Sequence, residues 1–320
     1  MPRKALRSGS RRTRPLRGRA RIGISGWTYA PWRGTFFPAG MPHASELRYA
    51  AERVSTIEIN GTFYSLQRPS SYAAWAESVP EGFVFSVKAP RFITHMRRLR
   101  DCRVPLANFL ASGPLRLGTK LGPFLWQLPP SLPFEKGTLE AFLRLLPRTA
   151  GHAAALARRH DGHVSHGVWL KVLGDAPLRH ALEVRHPSFV DPEFIALLRD
   201  AGVALVIADS AGRWPRLGDL TSDFVYVRLH GGSKLYESGY APASLAAWEA
   251  RLRCWMRGRN APGDRLAGRR RGDGATRDAF VYFDNDVKTR APFDAISLAG
   301  RLGAAAVQPA GGAEPLRRAA

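Results

Sequence analysis

The sequence predicts a (β/α)8 barrel of the TIM type, and three observations lead to it. Short β-branched and aromatic runs recur eight times between residues 22 and 283. Stretches with helical periodicity follow most of them. Several runs are apolar on both faces, as in Ala204-Leu205-Val206-Ile207-Ala208, which suits parallel strands covered by helices. An open doubly wound sheet is the alternative arrangement of the same alternation.

The elements follow in order. Strands are expected at 22–25 and 56–59, followed by helices over 43–53 and 70–78. The third strand, 83–88, precedes a helical stretch at 106–110. The fourth, 124–127, precedes a helix over 139–146, where Leu139, Phe142, Leu143 and Leu146 repeat at i, i+3, i+4, i+7 and Thr138 is the candidate cap. After the fifth strand, 181–185, Asp191-Pro192-Glu193 opens a helix running to residue 200, with an N-cap followed by proline. The sixth and seventh strands are read at 204–208 and 224–229. Their connection, 209–223, holds Gly212, Pro215 and Gly218 and has no helical period. A helix over 244–257, the last strand at 280–283 and a helix over 292–302 close the pattern.

Composition bounds the function. The chain has 320 residues, 45% of them apolar, enough for one large core. Two cysteines, Cys102 and Cys254, exclude a disulfide framework, and no Cys-x-x-Cys pair suggests a zinc knuckle. No apolar run is long enough for a membrane span. A soluble, cytoplasmic protein is expected, without a membrane partner.

The net charge of +22 is unusual and unevenly placed. Residues 1–21 hold nine Lys or Arg and no acid, and residues 257–277 hold seven Arg against Asp264 and Asp273. Segment 1–21 is therefore read as a disordered basic arm, 22–303 as the barrel, 261–277 as a mobile Gly/Arg-rich insertion and 304–320 as a flexible tail. Clustered arginines of this kind bind phosphate backbones or simply stay solvated, so nucleic acid is a candidate partner through 1–21 and 261–277. The amino-terminal segment lacks the apolar core of a secretory signal.

Catalytic groups of such barrels sit at the carboxyl ends of the strands, and polar residues are dense there. Strand two ends in Glu58 and Asn60, strand three in Lys88 with Arg91, Thr94 and His95 beyond it, and strand four in Gln127. Strand five ends in Glu183, Arg185 and His186, strand six in Asp209, strand seven in Arg228 and His230, and strand eight in Asp284 and Asn285. Glu58/Asn60, Glu183/Arg185 and Arg228/His230 are each two apart, so each pair shares one face of its strand. Pointing inward, they would gather carboxylates, guanidinia, an ammonium and imidazoles in one place, where such groups shift one another's pKa values. Two readings follow: a ligand-binding or catalytic mouth, or a closed ion-pair network that fills it. Trp27, Tyr29 and Trp32 after strand one, with Phe63 and Tyr64 after strand two, would wall a pocket or pack their loops. Gly231-Gly232-Ser233-Lys234 is either an anion cradle or an ordinary turn.

Taken together these residues resemble the YecE-like family of barrels of unknown function. The resemblance rests on Gly23-Ile24-Ser25-Gly26-Trp27-Thr28-Tyr29, Glu58-Ile59-Asn60-Gly61-Thr62-Phe63-Tyr64, Lys88-Ala89-Pro90-Arg91-Phe92-Ile93-Thr94-His95, Gln127-Leu128-Pro129-Pro130, Glu183-Val184-Arg185-His186-Pro187-Ser188, Asp209-Ser210, Arg228-Leu229-His230-Gly231 and Asp284-Asn285. It implies a TIM-type barrel with these residues at its mouth and implies no activity. Neither basic segment belongs to the pattern.

Among reaction classes, the paired histidines of metal-dependent amidohydrolases are absent, because strand one ends in Ser25-Gly26-Trp27. The common glycosidase arrangement would need carboxylates where Gln127 and Arg228 stand. A Schiff-base role for Lys88 competes with a role as ion-pair partner or anion ligand. What remains is acid–base chemistry on a small phosphorylated or carboxylated compound, phosphoester hydrolysis included. Lys88, Arg185 and Arg228 would hold the anion while His95 or His230 moves the proton. Glu58, Glu183, Asp209, Asp284, His95, His186 and His230 would supply enough ligands for a divalent ion, although no compact metal motif is present.

Overall fold

The computed structural model describes residues 18–268 and 272–304. The arm and tail read from the sequence therefore lie mostly outside the described residues. Eight parallel strands close into a barrel in chain order: β1 (Ala20–Ser25), β2 (Thr56–Ile59), β3 (Val84–Lys88), β4 (Leu121–Gln127), β5 (His180–Glu183), β6 (Ala204–Asp209), β7 (Phe224–Leu229) and β8 (Asp278–Phe283). The barrel shuts where β1 pairs with β8, Ala20 opposite Ala279 and Ile24 opposite Phe283. All eight expected strands are present. The first begins two residues earlier than expected, so Ala20 and Arg21 belong to the barrel rather than to the arm.

The covering helices are α1 (His43–Ala51), α2 (Gly61–Tyr64), α3 (Pro69–Glu77), α4 (Arg103–Ala111), α5 (Lys136–Leu145), α6 (Ala150–Ala157), α7 (Pro192–Asp200), α8 (Pro242–Trp255) and α9 (Arg290–Leu302). Asp191 caps α7 as expected, its carboxylate accepting from the amides of Glu193 and Phe194. Helix α5 starts one turn earlier than predicted. Its cap is Glu135, which accepts from Gly137 and Thr138, so Thr138 lies inside the helix. Helix α6, capped by Thr149, escaped the sequence reading because its alanines carry little periodicity. Between β6 and β7 no helix forms. Among the described residues no helix is long and apolar enough to cross a membrane.

The core has two parts. Outward strand residues such as Ile24, Ile57, Phe85 and Val227 pack against the helices. Inward residues Val84, Leu125, Ala181, Val206, Phe224 and Phe280 fill the barrel. Gly23 is required by close approach, since a Cβ there would lie 1.7 Å from the carbonyl oxygen of Thr56. Toward the carboxyl ends the interior turns polar. Tyr282 bridges Thr56 (2.8 Å) and Ser86 (2.6 Å) through its hydroxyl, and above it lies the charged layer.

The described residues of the insertion make specific hydrogen bonds with the rest of the barrel. Asp264 accepts from Arg251, from the Trp255 indole and from the Ala261 amide. The Asp219 carboxylate receives the amides of Ala267 and Gly268, and Asp273 grips the nearly buried Arg277 at 2.7 and 2.8 Å. Acids from this segment and from the β6–β7 connection hold its backbone, which hydrophobicity alone does not reveal. The described parts of both basic segments run directly into β1 and β8, at the end of the barrel where strands begin.

Candidate functional site

At the opposite end, strand alternation turns Glu58, Glu183 and Arg228 inward, and their side chains are fully buried. Arg228 is the hub. Its Nε and Nη2 donate to Glu58 at 3.1 and 2.9 Å, Nη1 donates to Glu183 at 2.7 Å, and Nη2 also reaches Asp284 at 2.9 Å. Tyr226 and Ser25 donate their hydroxyls to Glu58 at 2.7 and 2.9 Å. The Arg185 Nε donates to Glu183 at 2.7 Å, while its guanidinium stacks 3.7 Å over Trp214. His230 Nδ1 sits 2.9 Å from Asp284. Burial pushes the Glu183 carboxyl up, but Arg185, Arg228 and His230 outweigh it and hold the group well below the usual carboxylate range. The same opposition, won by Arg228 and His230, leaves Asp284 at about 2. This layer is a closed ion-pair network, in which each buried charge has its partner.

The network is a floor, and above it opens a cavity of about 890 Å³. Trp27, Tyr29, Asn60, Tyr64, Lys88, His95, Gln127, Arg185 and Asp284 line it. Trp27 is braced edge-on by Trp75, and the Tyr29 hydroxyl is held by the Ser25 carbonyl at 2.7 Å. Lys88 is 8% exposed, and among the described residues no carboxylate lies within ion-pair distance of its ammonium. Instead the ammonium stands 4.3 Å over the Phe63 ring. Burial first and then the Arg228 charge lower its pKa to about 8. His95 is carried in by a π-helical turn, Phe92–Met96, and lies 2.9 Å from Thr94 Oγ1 and 3.5 Å from the Gln127 amide. Burial, then the charges of Arg185, Lys88 and Arg91, lower it to about 4, so it is neutral at neutral pH.

Sequence reasoning missed several lining residues, among them Gln67, Trp75 and Val287, and two with titratable groups. Asp286 reaches the cavity from just beyond β8, and burial followed by the neighbouring Asp284 charge pushes it up to about 7. A signal existed: Asp284-x-Asp286 has the same two-residue spacing that singled out strands two, five and seven. Tyr236, from the β7–α8 loop, had no such signal.

Other predicted residues stand apart. Asp209 accepts from Tyr240 at 3.1 Å and lies 3.9 Å from Arg216, away from the cavity. His186 caps the turn Pro187–Phe189 by accepting from the Ser188 amide. Asn285 points away from the mouth and donates to the Ser238 carbonyl and to Asp294. Arg91 lines a neighbouring cavity. The Gly231–Lys234 turn is no open cradle. The Ser233 and Lys234 amides donate to Ser238 Oγ, both at 3.0 Å, and that of Gly231 to the Tyr240 hydroxyl. The expected metal ligands do not converge either: among the described residues no group of three or more His, Cys, Asp or Glu side chains is arranged to hold an ion. Glu58, Glu183 and Asp284 have Arg228 where a metal would need to be.

Comparison with known proteins agrees with this architecture. A stretch of 196 residues is 28% identical to the YecE protein of Escherichia coli K12, covering 59% of this chain and 58% of that protein. The chain thus spans less than two thirds of the length of this curated relative. A crystal structure of a DUF72 family protein from Thermotoga maritima superposes with a TM-score of 0.65 at 20% identity, over 89% of this chain and 99% of that one. One from Enterococcus faecalis gives 0.63 at 18% identity, over 89% and 95%. Residues 21–318 match the family described as "Protein of unknown function DUF72". With a barrel closed in chain order and the family's pattern running along nearly all of it, this chain belongs to the DUF72 family of proteins of unknown function.

Proposed function

We propose that the cavity binds a small phosphorylated or carboxylated compound and carries out acid–base chemistry on it, with phosphoester hydrolysis as the reaction. The observation that carries this is Lys88, a nearly buried cation facing the cavity with, among the described residues, no carboxylate in ion-pair contact. Burying an ammonium unpaired is costly, and an incoming anion removes that cost. Arg185 spends its Nε on Glu183 and leaves its Nη atoms for the same anion.

In this reading Lys88 and Arg185 hold the phosphoryl oxygens. His95 takes a proton from the attacking water as the new P–O bond forms, and Asp286 gives its proton to the leaving oxygen as the ester P–O bond breaks. A histidine titrating at about 4 is a weak base, but the charges of Arg185 and Lys88 contribute to that value. An anion between them and the imidazole offsets that effect and raises its basicity. The floor stays ionised throughout and fixes Arg185.

The test is a thermal-shift screen of phosphorylated and carboxylated metabolites against the full chain, repeated with Lys88→Met. Ligands that stabilise the wild type and fail to stabilise the variant support the reading; anions that stabilise neither, or both equally, end it.

A second reading, nucleic-acid binding through 1–21 and 261–277, rests on charge. The described parts of these segments lie at the strand-start end, so a nucleic acid held there would lie across the barrel from the cavity. Binding with a steep salt dependence, lost on deleting both segments, is the outcome that favours it.

A further inference from the structure

Next to the charged cavity lies a second one of about 770 Å³, and Phe63 and Tyr64 line both. Its character is different. Large apolar side chains stand exposed around it: Tyr64 is 71% exposed, Met96 62%, Phe92 46% and Val104 40%. Isolated exposed apolar residues need no explanation, but four around one cavity do. The π-helical turn Phe92–Met96 is the partition. It presents His95 to the charged side and Phe92, Ile93 and Met96 to the apolar side. Such widened turns favour functional positions, since the extra residue re-aims side chains that an α-helix would keep in register. Phe63 completes the partition, with the Lys88 ammonium over its face and the Tyr64 ring edge-on at 5.1 Å.

We infer that the second cavity is an aromatic subsite, and that the ligand is a phosphate or carboxylate bearing an aromatic ring that lies against Tyr64, Phe92 and Met96. The inference rests on the anion site proposed above and adds the chemistry of the rest of the molecule. The shared wall decides the occupant. Phe63 and Tyr64 line both cavities and Tyr64 stands exposed at their common rim, so a ligand anchored at Lys88 reaches the apolar side past Tyr64. A planar ring suits this lining, because aromatic faces and a methionine thioether gain from stacking on it. The charged groups at its edge balance, Arg91 and Arg97 against Asp101 and Asp161, with Arg97 paired to Asp101 at 3.1 Å, so the ring and not charge selects this end of the ligand.

Calorimetric titration of the full chain with matched probes tests this. Phenyl phosphate and 1-naphthyl phosphate are compared with glycerol phosphate and inorganic phosphate, and benzoate with acetate. The aryl member of the phosphate or the carboxylate pair binds about tenfold tighter, the effect of roughly 1.4 kcal/mol of ring burial. The double variant Phe92→Ala, Met96→Ala, whose side chains are exposed and whose loss leaves the core intact, brings that ratio to about one while inorganic phosphate or acetate affinity stays within about twofold of the wild type. Lys88→Met weakens aryl and non-aryl anions alike. Aryl and non-aryl anions binding equally to the wild type, or a ratio unmoved by the double variant, overturns the aromatic subsite and leaves the anion site standing. If no phosphate or carboxylate binds at all, the anion site fails and the subsite falls with it.

Discussion

Arg228 and Glu58 face each other from β7 and β2 in a two-pronged contact, Nε to Oε2 at 3.1 Å and Nη2 to Oε1 at 2.9 Å, and neither side chain reaches solvent. The pair seals the barrel below the cavity. It spends two strong charges on each other, so the proposed ligand chemistry falls to Lys88, Arg185, His95 and Asp286. What looks in sequence like one crowded site is two layers, a closed floor and an open chamber.

The floor carries stability. Arg228→Met leaves Glu58, Glu183 and Asp284 without their common partner, and removing one member of a buried ion pair typically costs about 3–5 kcal/mol. Urea unfolding followed by circular dichroism reads this loss directly. Arg228→Lys recovers only part of it, since one ammonium cannot reproduce the forked contacts to three carboxylates.

Acid has a defined effect. Glu183 lies well below its usual value and Asp284 at about 2, so both are depressed in the folded state. Their contribution is complete above the ordinary carboxylate range of about 4 and is lost as pH falls through the folded values. Thermal unfolding between pH 6 and pH 2 therefore shows a drop starting near pH ~4, larger than in a Glu183→Gln variant. A wild-type curve parallel to that of the variant contradicts the assignment.

Asp286 has the opposite sign. Its folded value of about 7 is raised, so its contribution is complete below the ordinary range and disappears as pH rises through 7. Asp286→Asn is accordingly more stable than the wild type at pH ~8 and close to it at pH ~4, a difference that paired melting curves resolve.

On the proposed function, ligand binding and turnover titrate with the groups of the chamber. Anion affinity falls as pH rises through about 8, where Lys88 loses its proton, and Lys88→Met removes that limb. A phosphoesterase rate rises as His95 becomes neutral above about 4 and falls as Asp286 ionises near 7, giving a bell. In Asp286→Asn the alkaline limb at 7 disappears together with most of the rate. Bound phosphate also shifts the His95 titration upward, which imidazole NMR signals follow.

The insertion makes a separate prediction. Asp264→Ala strands the Trp255 indole, the Ala261 amide and Arg251, at about 1–3 kcal/mol for a buried group left unpaired. Limited proteolysis then cuts near 261–268 faster than in the wild type. Equal cutting rates would mean that the segment is not held by this aspartate.

By itself the sequence determined the eight strands, most of the helices and the end of the barrel that carries the polar residues. Those features come from local periods, two for strands and about three and a half for helices, and from proline and aspartate at helix starts. Inward orientation of Glu58, Glu183 and Arg228 was legible for the same reason, and Asp286 was within reach of the same spacing. Closure of the barrel decided the rest. Whether Arg228 reaches a ligand or three carboxylates depends on β2, β5, β7 and β8 meeting at one height, which no local period encodes. Asn285, His186 and Asp209 have the right chemistry and neighbouring positions. Strand alternation turns Asn285 and Asp209 away, Asp209 sharing the outward parity of Leu205 and Ile207, and the turn Pro187–Phe189 carries His186 off the cavity. The insertion's own residues are polar, and Asp219, Asn260 and Asp264 satisfy the backbone and side chains of its described part. Partners distant in sequence decide where a charge is spent, and only the folded chain brings them together.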